Sequence, residues 1–429
     1  MLDIKLIRET PEMVRQNIER RHDKDKLKLL DKVIKTDEKW RELTGEVNEL
    51  RSKRNAISLE IANLKKAGKE KDAEAKVKEA AAIPKRIKTL ETKQLALSDE
   101  LRLGLMSLPN MLHESVPFGK DDHDNVEIRR VGKPPEFAFE PKDHVQLMTA
   151  LGLMDEERAA KVTGSGFVYL KGQLAMIDLA IQRFALEFLQ KRGFTVVEPP
   201  FMMNRRAYEG VTDLGDFEKV MYKIEGDNLF LIATSEHPMG AMYLDEVLEK
   251  QQLPIRFAGI SPCFRREVGA HGKYTRGLYR MHQFNKVEQF VFCLPEQSWE
   301  IHEEIQKNSE DLYQALGLHY RVVNVCTGDI GSIAAKKYDT EVWMADGQFR
   351  EIGSNSNCTD YQARRLNARW REAPGKPVQG FVHTLNNTAL ATSRTMLAVI
   401  EQHQQADGTV KVPEALRPFM GGIEFIGKK

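Results

Sequence analysis

Cysteine is scarce in this 429-residue chain, and the four that occur (Cys263, Cys293, Cys326 and Cys358) stand singly, with no C-x-x-C pair. That spacing excludes a disulfide framework and argues against a cysteine-based zinc site, so a reducing cytoplasm is the expected compartment. Aromatic residues are only 8% of the chain. No run approaches the roughly 18 apolar residues of a membrane span, and MLDIKLIRETPE lacks the basic-then-apolar pattern of a secretory signal. An excess of one charge is missing too, since 64 Lys+Arg against 63 Asp+Glu leave a net +1. Several familiar catalytic devices are absent. There is no G-x-x-x-x-G-K-[ST], because GAHGKYT at 269–275 has the wrong spacing. TGSGF at Thr163–Phe167 is too short for a dinucleotide fingerprint, and neither H-E-x-x-H nor G-x-S-x-G occurs.

What the chain does have is charge, 30% of its residues, and that charge is ordered. Val33, Thr36, Trp40, Leu43, Val47, Leu50, Arg54, Ile57, Ile61 and Leu64 alternate steps of three and four. Ala73, Lys76, Ala80, Ile83, Ile87, Leu90, Gln94, Leu97 and Leu101 repeat the rhythm. A mostly apolar seam at this spacing predicts two coiled-coil helices. Between them KKAGKEKD, with Gly68, supplies the turn of an antiparallel hairpin. Each arm of ~35 residues would reach ~50 Å at 1.5 Å per residue, with Pro84 expected to kink or interrupt the second. Residues 51–88 hold 12 Lys/Arg and 5 Asp/Glu. This basic end suits either a solvated face or contact with a phosphate backbone.

Residues 109–145, rich in Pro, Gly and Asp, read as a linker. Beyond it, helical periodicity over Leu174–Lys191 leads to the strand FTVVEPP, closed by Pro199 and Pro200. NLFLIAT, QFVFCL and RVVNVC read as further strands and SWEIHEEIQKNSEDLYQAL as a helix. The expected organisation is a domain over 1–110 carrying the arm (about 27–101), a linker over 111–145, and a domain over 146–429. The fold class is α+β, the hairpin being followed by a mainly antiparallel sheet with flanking helices.

The stretch Phe264–Glu288, FRREVGAHGKYTRGLYRMHQFNKVE, carries the most chemistry. On a strand, Arg265 and Glu267 share a face, and Arg280, Phe284, Lys286 and Glu288 repeat the even spacing. Two strands joined by a long loop would gather a phosphate fork, an acceptor, an aromatic plate and an acid on one surface. Ordinary cross-strand ion pairs would leave the same pattern. In REIGSNSN, Glu351 and Ser354 are expected after a strand and offer oxygen ligands suited to Mg²⁺. HTLNNTALATSRTMLAVIEQHQ contains Asn386 and Thr388, then a helix with Met396, Val399 and Ile400 on its apolar face. Arg394 is near enough to the start of that helix to meet phosphate.

In order, these stretches resemble seryl-tRNA synthetase, a class II aminoacyl-tRNA synthetase family, essentially end to end. FTVVEPP resembles motif 1, whose final proline lies at the dimer interface in the family. FRRE…RGLYRMHQFNKVE resembles motif 2, the LNNTALATSR helix motif 3, and ATSEHP the family's T-x-E serine loop. The resemblance implies that Arg265 meets the α-phosphate and the serine carboxylate, Glu267 the adenine amino group, and Phe284 the adenine face. Arg394 would lie near the γ-phosphate, making Arg265, Glu351 and Arg394 the catalytic group. Arg266, Arg280, Met281, Ile352 and Gly353 would complete the ATP contacts, while Glu351 and Ser354 hold Mg²⁺. Thr234, Glu236, Glu288 and Thr388 would enclose L-serine beside Arg265, with Asn386 ordering the pocket. In place of the family's usual E-[IV]-S-S-C-S-N, Gly353 and Asn355 stand at the third and fifth positions.

The implied activity is ATP-dependent attachment of L-serine to tRNA(Ser), with tRNA(Sec) as a further candidate acceptor. The hairpin would bind the long variable arm of the tRNA by shape and backbone. A cytoplasmic homodimer without zinc or membrane partners is implied as well. Two alternatives stay open: an ATP-dependent amino acid:carrier-protein ligase, which should lack the full hairpin, and a non-catalytic coiled-coil tRNA-binding paralogue, which should have lost Arg265, Glu267, Glu351 or Arg394.

Overall fold

The computed structural model describes residues 1–213, 215, 220–267 and 277–427, so the GAHGKYT stretch lies outside the described residues. The chain divides into two compact units, 1–109 and 110–429. In the first, helix α1 (Lys24–Lys66) starts at Asp23, whose side chain accepts the Asp25 and Lys26 N–H groups as an N-cap. It ends at Ala67, and Gly68 turns the chain with φ +72°. The return consists of α2 (Glu70–Ala80) and α3 (Ile83–Ser107). Pro84 sits in the first turn of α3, where its missing N–H removes no helical bond, so it marks the break between two helices.

Every seam position of both arms is buried or half-buried except Arg54, which is exposed. Ile57, Ile83 and Ile87 form a small core where the arms meet. Ion pairs Lys32–Glu100 (2.8 Å), Glu46–Arg86 (2.5 Å), Arg51–Glu91 (2.7 Å) and Glu60–Lys76 (3.1 Å) run in antiparallel register. Exposed pairs of this kind contribute roughly 0–1 kcal/mol each, so they select register more than they stabilise.

The second unit contains β1 (Val126–Val131), α4 (His144–Ala150), α5 (Glu156–Thr163), α6 (Gln173–Lys191), β2 (Thr195–Val197), β3 (Ile255–Phe264) and β4 (Gln283–Cys293). It continues with α7 (Ser298–Ala315), β5 (Tyr320–Asn324), β6 (Lys336–Trp343), β7 (Phe349–Asn357), β8 (His383–Ala391) and α8 (Thr392–Gln402). Eight strands form one sheet in the order β1-β5-β6-β7-β8-β4-β3-β2, antiparallel throughout except for β2 beside β3. The stretch expected as a linker over 111–145 therefore contains an edge strand, since VEIRRV pairs with β5. Its alternation is only six residues long and sits among turn formers, which hid it.

Strand β4 shows how the sheet serves two faces. Val287, Val291 and Cys293 turn to the core shared with Ile177, Ile305 and Leu397 of α6, α7 and α8. Phe290 and Phe292 turn to a second cluster with Tyr208, Ile232 and Met239. Two-residue periodicity then sends Lys286 and Glu288 the same way as Phe290, onto the face that carries a cavity. Among the described residues no helix is long and apolar enough to cross a membrane.

Candidate active site

A cavity of 430 Å³ opens over β4, β7 and β8. Phe284, Lys286 and Glu288 come from β4, Asn386 and Thr388 from β8, and Glu351, Ile352, Gly353 and Ser354 from β7. Register sets Thr388 opposite Glu288, and the Thr388 hydroxyl donates to Glu288 Oε2 at 3.2 Å. Arg394 enters from the first turn of α8, and Glu236 from the short helix Glu236–Gly240. Arg265, Glu267, Arg280 and Met281 line it as well.

Two local expectations fail in instructive ways. Strand β3 ends at Phe264, so Arg265 and Glu267 do not share a strand face. Glu267 instead takes a left-handed backbone, φ +45°, and its Oε2 accepts from Arg280 Nε at 2.5 Å. Glu351 and Ser354 lie within β7 and not after it. Three residues apart, they would ordinarily point to opposite faces. A bulge at Ile352, where Thr340 pairs with Gly353 and Glu341 with Glu351, brings both to one side. The Ser354 hydroxyl donates to Glu351 Oε1 at 3.3 Å.

Two of the expected site residues do not line the cavity. Thr234 is buried, and its hydroxyl oxygen accepts the Glu236 N–H at 3.1 Å, fixing the helix that presents Glu236. Arg266 is tied by its own N–H to the Val220 carbonyl at 3.0 Å. Asn355 also stays away from the cavity, buried with its Nδ2 donating to the His302 carbonyl at 2.9 Å. Of the two sequence departures, only Gly353 touches the open volume.

The charges are arranged around that volume. The Arg265 guanidinium stands 5.2 Å over the Phe284 ring, with Nε donating to the Ala233 carbonyl at 3.3 Å. Arg394 donates through one nitrogen to the Glu351 carbonyl at 2.9 Å, and the same nitrogen lies 3.4 Å from Glu351 Oε2. Burial opposes ionisation of Glu351, but Arg394, then Lys337 and Arg265, outweigh it and hold the carboxyl down at about 2. Glu236 is shifted the other way, to about 7, first by burial and then by neighbouring Glu288. Burial, then Lys286 and Arg265, depress His237 to about 3, so it is a neutral imidazole.

Three contributors were given no role by the sequence. Lys286 Nζ lies 2.6 Å from Glu288 Oε2 with both side chains almost closed to solvent. Its signal was the i, i+2 spacing to Glu288, which any surface ion pair shares. Tyr279 lies under Arg394, ring centre 4.7 Å from the guanidinium carbon. Lys337 lines the cavity and pairs with Asp339 at 3.1 Å. One cavity is thus lined by the carboxylates Glu236 and Glu288, the Lys286 cation and the arginines Arg265 and Arg394. An ionised carboxylate and a hydroxyl are the hard oxygen donors a divalent cation takes. The lining sets cations of the kind that can meet phosphate around open space, an arrangement suited to substrate-on-substrate attack.

The chain matches the family model described as the seryl-tRNA synthetase N-terminal domain over residues 1–112. Residues 219–403 match the tRNA synthetase class II core domain (G, H, P, S and T). A serine–tRNA ligase of Methanocella arvoryzae is 55% identical, covering 99% of this chain and 100% of its own. The chain belongs to the seryl-tRNA synthetase family. The seryl-tRNA synthetase of Pyrococcus horikoshii, solved in complex with ATP, superposes with a TM-score of 0.95 at 46% identity, covering 99% of both chains. A cytoplasmic serine–tRNA ligase of Naegleria fowleri, solved with AMP, gives 0.89 at 37% identity over 99% of this chain and 98% of its own.

Proposed function

We propose that this cavity makes seryl-adenylate from L-serine and ATP, and that the chain then transfers the seryl group to the 3′ end of tRNA(Ser). The observation that carries this reading is the Thr388–Glu288 hydrogen bond beside Lys286 and Glu236, polar groups that line the same cavity as Arg265 and Arg394. A serine carboxylate oxygen attacks the α-phosphorus, the bond to the bridging oxygen breaks, and pyrophosphate leaves. Arg265 meets the charge that develops on the α-phosphate, and Arg394 holds the departing end. Phe284 supplies the adenine plate, and Glu267 and Arg280 the polar edge. The tRNA 3′-hydroxyl next attacks the carbonyl of the mixed anhydride and AMP leaves.

Glu351 and Ser354 would hold Mg²⁺, which neutralises phosphate charge when bound. Glu351 suits that task because its carboxyl is kept ionised beside a hydroxyl donor. Serine is told from alanine by its hydroxyl. Alanine would leave Glu288 and Thr388 with an unfilled hydrogen bond, a rejection of ~10⁴ or more for sites of this type. The basic arm receives the tRNA, with tRNA(Sec) a second acceptor to be tried. A homodimer belongs to this reading. The cytoplasm is its compartment.

ATP–pyrophosphate exchange across the twenty amino acids, without tRNA, tests the proposal. Exchange with serine alone is expected. Exchange with alanine or glycine instead would favour a carrier-protein ligase, and none at all would remove the catalytic reading.

A further inference from the structure

The strip Gly277–His282 lends Tyr279, Arg280 and Met281 to the cavity wall and bonds to Arg265, Glu267 and Arg394. The Tyr279 carbonyl accepts from Arg394 Nε at 3.4 Å, Arg280 binds Glu267, and the His282 carbonyl accepts the Arg265 N–H at 2.9 Å. From behind, the strip is held by residues that do not line the cavity. Glu156 Oε1, at the start of α5, accepts the Gly277 N–H at 3.0 Å. His144 Nε2, at the start of α4, accepts the Leu278 N–H at 3.1 Å. At the far end the Gly166 carbonyl accepts the His282 N–H at 2.9 Å, and Phe167 stacks on the His282 ring at 5.1 Å. The TGSGF stretch thus has a part in this cradle.

The His144 contact is specified in detail. Because Nε2 accepts, the ring proton is on Nδ1, which donates to Glu401 Oε1 at 2.8 Å. Glu401 Oε2 accepts the Ala345 N–H at 2.9 Å, so the imidazole is fixed from the end of α8. His144 and Glu401 are 3% and 1% exposed. Gly277 has φ +66°, and a Cβ there would lie 2.3 Å from His144 Nε2. The backbone passes so close to the imidazole that a side chain does not fit.

We infer that His144 and Glu156 are positioning residues for ATP. Two backbone N–H groups are held by two side chains, and this sets where Tyr279 supports Arg394 and where Arg280 meets Glu267. The inference rests on the proposed adenylation, and it separates ATP from serine because Glu156 and His144 hold Gly277 and Leu278, next to Tyr279 and Arg280, whereas Arg265 is tied at the far end to His282, and Glu236, Glu288 and Thr388 make no hydrogen bond to the strip among those described.

The test is serine-dependent exchange by the full chain, with ATP affinity read by calorimetry on the same proteins. Glu156→Ala and His144→Ala should raise the ATP KM about tenfold while the serine KM stays within about twofold. Glu156→Gln, whose amide oxygen still accepts the Gly277 N–H, should return the ATP KM to near the unaltered value. Thermal unfolding of each variant shows that it is folded. An unchanged ATP KM in folded Glu156→Ala overturns the inference, as does a parallel rise in both KM values or a Gln variant as impaired as Ala. If the unaltered chain exchanges nothing, the serine reading fails by itself. A tenfold weaker ATP affinity in Glu156→Ala would still support the cradle, and an unchanged affinity would remove it.

Discussion

Lys286 and Glu288 form an ion pair at 2.6 Å on the same face of β4, with side chains only 7% and 1% exposed. Glu236 lines the same cavity. Without the lysine, two carboxylates would share one cavity with no cation between them, and like charges so placed do not both ionise readily. A buried ion pair adds little over an apolar pair, yet removing one partner strands the other at a cost of roughly 3–5 kcal/mol. Lys286→Met should therefore lower stability by roughly 3 kcal/mol in urea unfolding and raise the serine KM tenfold or more. Adding Glu288→Gln to it should recover most of the stability but not the activity, because the stranded charge is gone and the serine contact is not restored. A double variant no more stable than the single one would show that the pair is not what Lys286 contributes.

Glu236 gives serine binding a pH dependence of definite sign. Its carboxyl is raised from the ordinary 4.5 to about 7 by burial and then by Glu288. A bound serine ammonium favours the ionised form, so serine affinity should rise with pH up to about 7 and then level off. Binding at pH 6 should release a proton. The same shift acts on folding. From pH 4.5 up to about 7 the folded chain keeps a proton that the unfolded chain has lost, so this group's contribution to stability falls as pH rises. Glu236→Gln should flatten both profiles, and calorimetry in two buffers of different ionisation enthalpy would show whether the proton release disappears.

Much of this was legible in the residue pattern, and the exceptions have physical causes. The arm was readable because a coiled-coil seam repeats over many turns, and only Arg54 departed from it. The antiparallel sheet was readable because strand-like runs such as QFVFCL and RVVNVC follow one another with few helices between them. Strand β1 was not, because VEIRRV is a short edge strand between turn formers. Glu351 and Ser354 needed a bulge at Ile352 that no local spacing announces. Lys286 read as an ordinary strand lysine, since its burial is set by β8 and by the helix carrying Glu236, which are distant in sequence.

Gly353 is the departure that touches the pocket, and Tyr313 explains its fit. A Cβ at Gly353 would lie 3.1 Å from the Tyr313 hydroxyl and 3.1 Å from Thr388 Cβ. The hydroxyl is fully buried, with no hydrogen-bond partner among the described residues. Gly353→Ser should therefore press on Thr388, with a loss of about 1–3 kcal/mol typical of overpacking, and raise the serine KM. Tyr313→Phe alone should be near neutral, because it removes a polar group that binds nothing. Combined with Gly353→Ser it should restore part of the serine KM by freeing the oxygen's space. A double variant as impaired as Gly353→Ser alone would mean that Thr388, and not Tyr313, sets the limit.

The arm gives the last prediction, which concerns tRNA and not adenylation. Lys65, Lys66, Lys69 and Lys71 are exposed where α1 turns into α2. Cations that neutralise phosphates release counterions, so log affinity falls with log salt by about 0.9 per phosphate on a duplex. Replacing the four lysines by glutamine should weaken tRNA(Ser) binding and reduce that slope by about one for each lysine in contact. Serine-dependent pyrophosphate exchange should not change, since the substitutions lie in the 1–109 unit and the cavity in the other. Filter binding at several salt concentrations gives the slope directly. An unchanged slope with weakened binding would mean that the arm acts by shape alone, and the basic end would then be the solvated face that composition equally allows.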